Sequence, residues 1–250
     1  MTQTVFVTGA TSGFGAASAR RFAAEGWNVV ASGRRAERLE QLKSELGGHV
    51  HTVVLDVRDE RAVKQALQSL PEPFAAIDVL INNAGLALGL NPAPSCDMRE
   101  WETMVDTNIK GLLYCTRALL PQMVERDRGH VVNVGSIAGT YPYPGGNVYG
   151  ATKAFVQQFS RNLKADLLGS RVRVTNIEPG MAETEFSLVR FEGDQDRAGA
   201  VYRDMQPLEG KDIADIIYWV VTAPGHVNIN SVEVMPVAQA WGKFAVARDQ

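Results

Sequence analysis

Short apolar runs rich in valine and isoleucine alternate along this chain with longer amphipathic segments, and the pattern predicts strands alternating with helices. The first run, residues 4–8, reads T-V-F-V-T; a glycine-rich turn follows it, and then an alanine-rich helical segment at 16–25. Further strands are predicted at 28–32, 51–55, 77–81, 131–134 and 172–177, and further helices at 36–46, 60–70, 100–125 and 149–168. Pro121 predicts a break or kink in the longest of these helices.

This alternation predicts the fold class. Strands that alternate with helices form right-handed β-α-β units, and such units build a mostly parallel sheet with helices on both faces. We therefore predict a doubly wound α/β fold of the Rossmann type, with residues 1–250 as a single domain. Residues 181–210 break the alternation and are rich in charge and glycine, so we predict a substrate lid there.

Composition and charge narrow the class of protein. The 250 residues are 45% hydrophobic and 21% charged, as in ordinary globular proteins, and the formal net charge of −3 provides no basic surface for nucleic acid. Two cysteines are too few for a disulfide framework, and no ligand spacing indicates a metal site. No apolar run approaches the roughly 20 residues that span a bilayer, and the early first strand leaves no room for a signal peptide. We expect a cytoplasmic protein with a small-molecule substrate and neither nucleic-acid nor membrane partners.

The glycine-rich turn indicates a phosphate-binding site. Its spacing is Gly-x-x-x-Gly-x-Gly, one residue longer than the usual dinucleotide fingerprint. Glycine permits a tight turn and close approach of the backbone, and the helix that follows offers free N–H groups to a pyrophosphate. The alternative is an ordinary strand-to-helix turn. The residues predicted to contact the cofactor here are Gly9, Thr11, Ser12, Gly13, Phe14 and Gly15.

The end of the second strand indicates which nucleotide is bound. An acidic residue at this corner would bind the ribose hydroxyls of NAD, but the chain reads A-S-G-R-R there and has no carboxylate. Arg34 and Arg35 carry guanidinium groups, which suit a 2′-phosphate. We therefore predict NADP(H) as the cofactor. The alternative is that both arginines are solvated residues at the start of a helix.

Tyr149 and Lys153 lie four residues apart and therefore share one face of a predicted helix. A phenol has an unperturbed pKa of about 10, and a nearby ammonium favours the phenolate. The pair predicts a general acid/base in which Lys153 lowers the pKa of Tyr149. Ser136, at the end of the strand V-V-N-V-G-S, would hydrogen-bond the substrate oxygen and stabilise its developing charge.

These motifs together resemble the short-chain dehydrogenase/reductase family over essentially the whole chain. The motifs are, in order, Thr8-Gly9-x-x-x-Gly13-x-Gly15, Asn82-Asn83-Ala84-Gly85, Asn108, Ser136, Tyr149-x-x-x-Lys153 and Pro179-Gly180. The stretches G-G-N-V-Y-G-A-T-K-A-F, I-E-P-G, T-E-F-S-L-V-R-F and H-V-N-I-N-S more closely resemble the bacterial NADP-dependent 3-hydroxy acid dehydrogenases, a group that includes serine and allo-threonine dehydrogenases. Glu178 departs from the asparagine of many family members, and the closer group shares this glutamate.

The resemblance implies roles for further residues. It implies that Asn108 completes a proton relay through water to Lys153, which also holds the nicotinamide ribose. It assigns the remaining cofactor contacts to Asp56 and Val57 beside the adenine, to Asn83, Ala84 and Gly85 in the crevice, and to Pro179, Gly180 and Thr184 at the carboxamide. It also implies a homotetramer.

The substrate that the closer resemblance implies is a short 3-hydroxy acid such as serine, allo-threonine or 3-hydroxyisobutyrate. A desolvated carboxylate needs a cation or several N–H donors, and Arg190 in the predicted lid is a candidate to bind it beside Ser136 and Tyr149. The alternative for Arg190 is a solvated surface position. For the whole protein, the alternatives are a broad-specificity carbonyl reductase and a non-catalytic NADPH-binding regulator.

Overall fold

Within residues 2–242, which the computed structural model describes, seven strands form one parallel sheet. The strands are β1 (Thr4–Val7), β2 (Asn28–Gly33), β3 (Val50–Val54), β4 (Val79–Asn82), β5 (Gly129–Val134), β6 (Val172–Pro179) and β7 (Ser231–Val234). Their order is β3-β2-β1-β4-β5-β6-β7, and every neighbouring pair is parallel. The order reverses between β1 and β4, and open α/β sheets bind their ligands at the carboxyl ends of the strands at such a point.

Helices cover both faces of this sheet. They are α1 (Gly13–Ala24), α2 (Ala36–Leu46), α3 (Glu60–Gln68), α4 (Met98–Val105), α5 (Leu112–Glu125), α6 (Asn147–Asp166), α7 (Glu185–Arg190), α8 (Gln195–Ala200) and α9 (Gly210–Thr222). Successive residues of a strand point to opposite faces, so Val7 packs with Phe22 and Ile217 on one side, and Phe6 packs with Leu119 on the other. The predicted doubly wound α/β fold is confirmed.

The long helical stretch predicted at 100–125 is irregular at a different place from the expected one. The helix α4 ends at Val105, a wider π-helical turn covers residues 106–111, and α5 continues through Pro121 to Glu125. A break at Pro121, one form of the predicted break or kink, is therefore wrong, and a kink there stays a prediction. Leu119 and Met123, two residues to either side of the proline, are buried, and this tertiary packing maintains the helix although one backbone N–H is missing.

The segment predicted as a lid, residues 181–210, carries the short helices α7 and α8 between β6 and α9. An isolated β-bridge joins Ala182 to Leu208 near the two ends of the segment. The ring of Phe186 in α7 lies 5.6 Å from the ring of Tyr149, measured between centroids. The segment therefore packs over the residues with candidate chemistry. No helix in the described part of the chain has the length and apolar character needed to cross a membrane.

Candidate active site

The glycine turn between β1 and α1 has the tight backbone that its sequence predicts. Gly9 and Gly13 have φ angles of +68° and +51°, in the left-handed region that favours glycine. A Cβ atom on Gly15 would lie 2.4 Å from the carbonyl oxygen of Gly9, so no larger residue fits without a backbone shift. The turn leads directly into the N-terminus of α1, whose first N–H groups have no partner within the helix. This arrangement fits a pyrophosphate.

The turn is fastened to the neighbouring strand β4 by side-chain hydrogen bonds. The hydroxyl of Thr8 accepts from the backbone N–H groups of Asn83 and Ala84, each at 3.0 Å. The side-chain amide of Asn83 donates to the carbonyls of Thr8 and Gly9, at 2.9 and 3.2 Å. The ends of β1 and β4 are thereby locked together at the point where the strand order reverses.

A cavity of about 620 Å³ opens beside this turn. It is lined by every predicted site residue except Gly15 and Asn108, namely Gly9, Thr11, Ser12, Gly13, Phe14, Arg34, Arg35, Asp56, Val57, Asn83, Ala84, Gly85, Ser136, Tyr149, Lys153, Pro179, Gly180, Thr184 and Arg190. Gly15 lies behind the turn, and Asn108 lies behind the cavity wall. The fold thus brings residues from separate strand ends, from α6 and from the segment 181–210 around one cavity.

Tyr149 and Lys153 share one face of α6, as their spacing predicts. Both are buried, with 9% and 7% of their surface exposed. The Lys153 ammonium donates to the carbonyl of Val134 at 2.8 Å and lies 5.8 Å from the centroid of the Tyr149 ring. Ser136, directly beyond β5, accepts from the N–H of Ala138 at 3.1 Å. These contacts fix three polar groups on one wall of the cavity.

The pKa values of Tyr149 and Lys153 are shifted in a way that the sequence did not predict. Burial raises the pKa of Tyr149 to about 12, while the Ser136 hydroxyl and the Arg190 charge act in the opposite direction. Burial also lowers the pKa of Lys153 to about 8. The expected lowering of the phenol pKa by Lys153 is therefore not what the structure gives. The physical reason is that removal of water from the phenol disfavours its charged form more than the nearby charges favour it.

Asn108 lies in the π-helical turn after α4 and is buried. Its amide nitrogen donates to the carbonyl of Leu86 at 2.8 Å and to the hydroxyl of Thr152 at 3.0 Å, and its amide oxygen accepts from the N–H of Leu86 at 2.9 Å. The side chain thus ties the segment after β4 to α6, one residue before Lys153. Its described contacts fix the position of that wall, and none of them joins it to Lys153.

The nucleotide corner contains both predicted arginines, in different environments. Arg34 lines the cavity. Arg35 donates from Nη2 to the hydroxyl of Thr11 at 3.0 Å and places Nη1 2.8 Å from a carboxylate oxygen of Glu185. Asp56 also lines the cavity, but its carboxylate pairs with Arg58 at 2.6 Å and accepts from the Arg58 N–H, which lowers its pKa.

Arg190 lies at the end of α7 and is half-buried in the same cavity. Its guanidinium donates from Nη2 to the hydroxyl of Tyr143 at 3.0 Å, and its central carbon lies 5.1 Å from the ring centroids of both Tyr149 and Phe186. Its Nε is buried and has no hydrogen-bond partner within residues 2–242. The alternative of a solvated surface arginine is therefore wrong, and a cation lies beside the phenol.

The segment predicted to bind the carboxamide follows β6. The hydroxyl of Thr184 caps α7 by accepting from the N–H of Phe186 at 3.2 Å. Glu178, the departure from many family members, is 3% exposed and accepts from Asn176 at 2.6 Å and from Ser231 at 2.8 Å. This glutamate fastens β6 to β7, so its difference has a structural explanation. No cluster of metal-ligating side chains occurs in the part of the chain that the structure describes.

The cavity is also lined by residues that were not among the predicted site residues, including Glu185, Phe186 and Gln239. Glu185 and Phe186 directly follow Thr184, and that adjacency was the available signal for them. The amide oxygen of Gln239 accepts from the N–H of Met181 at 2.7 Å, a contact across 58 residues that no local pattern indicates.

A glycine turn at the switch point of a doubly wound sheet, with a tyrosine, a lysine and a serine on one cavity wall, defines an oxidoreductase that works with a nicotinamide dinucleotide. The sequence profile described as short chain dehydrogenase matches residues 3–194. The chain belongs to the short chain dehydrogenase family.

Individual relatives are similar over their full length. Sulfoacetaldehyde reductase 2 of Chromohalobacter salexigens is 56% identical over 252 residues, which cover 100% of both chains. The NADP-dependent 3-hydroxy acid dehydrogenase YdfG of Salmonella typhimurium is 58% identical over 245 residues, which cover 98% of this chain and 99% of the relative. A solved structure, the closed form of serine dehydrogenase complexed with NADP+, is 54% identical, covers 99% of this chain and 100% of its own, and superposes with a TM-score of 0.98.

Proposed function

We propose that this chain catalyses NADP-dependent hydride transfer at the hydroxyl-bearing carbon of a small 3-hydroxy acid, or the reverse reduction of the corresponding aldehyde or ketone. One observation carries the substrate class: the Arg190 guanidinium lies 5.1 Å from the Tyr149 ring centroid, and its buried Nε has no partner in the described residues. The substrates named for three relatives, a 3-hydroxy acid, serine and sulfoacetaldehyde, each carry an anionic group, which supports an anionic substrate for this chain. A guanidinium binds carboxylate or sulfonate through charge-assisted hydrogen bonds.

The residues around the cavity fit a dinucleotide. The glycine turn with Thr11, Ser12 and Phe14 would hold the pyrophosphate, and Arg34 would attract the 2′-phosphate. The remaining contacts are assigned to Asp56 and Val57 at the adenine, to Asn83, Ala84 and Gly85 in the crevice, to Lys153 at the ribose, and to Pro179, Gly180 and Thr184 at the carboxamide. When bound, the nicotinamide ring supplies or accepts the hydride.

Tyr149 is the general acid/base in this proposal. A phenol whose pKa is about 12 is neutral near pH 7, so it holds the proton that an oxygen needs when a carbonyl is reduced. Ser136 orients the substrate oxygen, Lys153 places a cation beside the phenol, and Asn108 positions the wall that carries Lys153 through Thr152.

The substrate range has two further candidates. Sulfoacetaldehyde is favoured by a relative of that name at 56% identity, and it shares with 3-oxo acids a carbonyl carbon one carbon away from the group that bears the negative charge. A broad-specificity carbonyl reductase stays the alternative, because Tyr143, Phe186 and Trp241 add aromatic surface to the cavity. The chain belongs to an enzyme family, and it has all the residue types that catalysis in this proposal needs. Both facts argue against a non-catalytic regulator.

The experiment follows the absorbance of reduced nicotinamide with purified protein. Oxidation rates with NADP are compared with those with NAD for each of four substrates: serine, allo-threonine, 3-hydroxyisobutyrate and a neutral secondary alcohol. Reduction of sulfoacetaldehyde is measured with NADPH. Turnover of the acids with NADP supports the proposal. Turnover of the neutral alcohol alone moves the protein to the general carbonyl reductases, and turnover with NAD in preference to NADP contradicts the cofactor assignment.

We also propose that residues 181–210 act as the substrate lid, because α7 places Phe186 and Arg190 beside Tyr149. The homotetramer and the cytoplasmic location stay predictions. Light scattering coupled to size-exclusion chromatography tests the first, and fractionation of the source cells tests the second.

A further inference from the structure

Two neighbouring arginines at the nucleotide corner make different contacts. The guanidinium of Arg35 is engaged on both edges: Nε and Nη2 donate to the Thr11 hydroxyl at 3.2 and 3.0 Å, and Nη1 lies 2.8 Å from Oε2 of Glu185. Arg38, three residues further along α2, places Nη2 3.2 Å from Oε1 of the same carboxylate. Arg34 lines the cavity and makes no ion pair within residues 2–242.

Glu185 is the first residue of α7, the helix that packs over the phenol of Tyr149. At the other end of this helix, the Arg190 carbonyl accepts from the N–H of Gly89 at 3.2 Å, and the Arg190 guanidinium donates to Tyr143. The helix has six residues, so it is fastened at one end to the nucleotide corner and at the other to the substrate side. A shift at Glu185 would displace the groups that contact the substrate.

We propose that Glu185 is a positioning residue that couples the nucleotide corner to the lid, with Arg35 and Arg38 holding α7 through its carboxylate while Arg34 alone binds the 2′-phosphate. This inference rests on the proposed function and changes one part of the sequence prediction, in which Arg34 and Arg35 share the phosphate. The two arginines are given different roles because the Arg35 guanidinium already has hydrogen-bond partners on both edges, whereas the Arg34 guanidinium does not and can bind a phosphate.

The size of the expected effect follows from exposure. The side chains of Glu185, Arg35 and Arg38 are 30%, 45% and 49% exposed, so each ion pair is partly screened by solvent. The two arginines and the Glu185 carboxylate form a small ion-pair network. Loss of this network should raise the KM for the 3-hydroxy acid substrate roughly two- to tenfold. High salt should reduce the difference between the wild type and Glu185→Gln, because salt screens exposed charges.

The test compares Glu185→Gln with Glu183→Gln, which removes the same charge two residues earlier in the lid at a carboxylate that has no ion pair in the described residues. Arg34→Gln, Arg35→Gln and the double variant Glu185→Gln/Arg35→Gln complete the set. Three readouts are taken: the KM and kcat for the acid, equilibrium titration of NADPH and NADH by fluorescence, and hydrogen exchange of the α7 amides.

We expect Glu185→Gln to raise the KM for the acid and to speed amide exchange in α7, with kcat and NADPH affinity close to wild type. Arg35→Gln should follow it, and the double variant should add little to either single change. Arg34→Gln should weaken NADPH at least about tenfold, as expected for loss of a charged phosphate contact, and leave NADH affinity and α7 exchange unchanged.

The inference is overturned if Glu185→Gln behaves like Glu183→Gln in KM and exchange, or if Arg35→Gln weakens NADPH as much as Arg34→Gln does. Failure of the proposed function looks different, because the wild type would then not turn over the acids at all. Cofactor titration and amide exchange still test the coupling in that case, since neither measurement needs a substrate.

Discussion

Replacement of Arg190 by methionine removes the cation beside Tyr149 and keeps most of the apolar stem of the side chain. In the wild type this guanidinium donates to the Tyr143 hydroxyl and packs against the rings of Phe186 and Tyr149, each centroid 5.1 Å away. Methionine preserves contact with both rings. The variant therefore isolates the positive charge and the N–H donors.

The magnitude follows from the number and type of hydrogen bonds. A bidentate carboxylate would accept two charge-assisted hydrogen bonds, and each contributes about 1.5–2 kcal/mol at a half-buried position. Their loss amounts to about 3–4 kcal/mol, which corresponds to roughly a hundred- to a thousandfold lower kcat/KM for an acid. A neutral ketone uses neither bond, so its kcat/KM should fall no more than a few-fold.

The assay measures NADPH-dependent reduction of a 3-oxo acid, of sulfoacetaldehyde and of a neutral ketone. Arg197→Met is the matched control, because it removes the same charge from an exposed arginine of the segment 181–210 that packs on Phe191 outside the cavity. In this control variant, kcat/KM for all three substrates should stay close to the wild-type values. Equal losses for acid and ketone in Arg190→Met would refute the role of Arg190 as the anion-binding residue.

Two further predictions concern the fold that supports the site. Gly15→Ala places a Cβ 2.4 Å from the Gly9 carbonyl oxygen, so it should lower the free energy of unfolding by about 1–3 kcal/mol and weaken NADPH binding. Gly199→Ala has open space around its Cβ and should do neither. Equal melting temperatures for the two variants would contradict this prediction. Burial lowers the pKa of His130 to about 3, so below its ordinary pKa of about 6.5 the unfolded chain binds a proton that the folded chain does not, and stability is lost as the pH falls. Between about pH 7 and pH 5 this loss is about 2 kcal/mol, and denaturant unfolding of His130→Gln should lack that part of the pH dependence; an unchanged pH dependence would show that the buried imidazole is not its source.

The parts of the fold that local patterns determine were predictable. The alternation of apolar runs and amphipathic segments gave the parallel sheet, because each strand–helix unit has few ways to pack. The glycine turn was predictable because positive φ angles, as at Gly9 and Gly13, strongly favour glycine. The Tyr149–Lys153 pair was predictable because four residues make about one helical turn.

Features that depend on distant contacts were not predictable. Glu185 and Arg35 are 150 residues apart, and no spacing rule brings them together. The irregular turn contains Asn108, whose side chain hydrogen-bonds the distant residues Leu86 and Thr152, whereas the sequence pattern indicated an irregularity at Pro121. The pKa of Tyr149 was expected to fall, but burial, which only the folded chain shows, raises it.

The proposed function depends most directly on Tyr149 as the group that transfers the proton in an NADP-dependent reaction at a CH–OH carbon. The most direct measurement compares the rate of NADPH oxidation by the wild type and by Tyr149→Phe, together with the NADPH affinity of each by fluorescence titration. We expect Tyr149→Phe to bind NADPH with affinity near that of the wild type while kcat falls by about 10²–10⁴-fold. A phenylalanine variant that binds NADPH and retains wild-type turnover would contradict it.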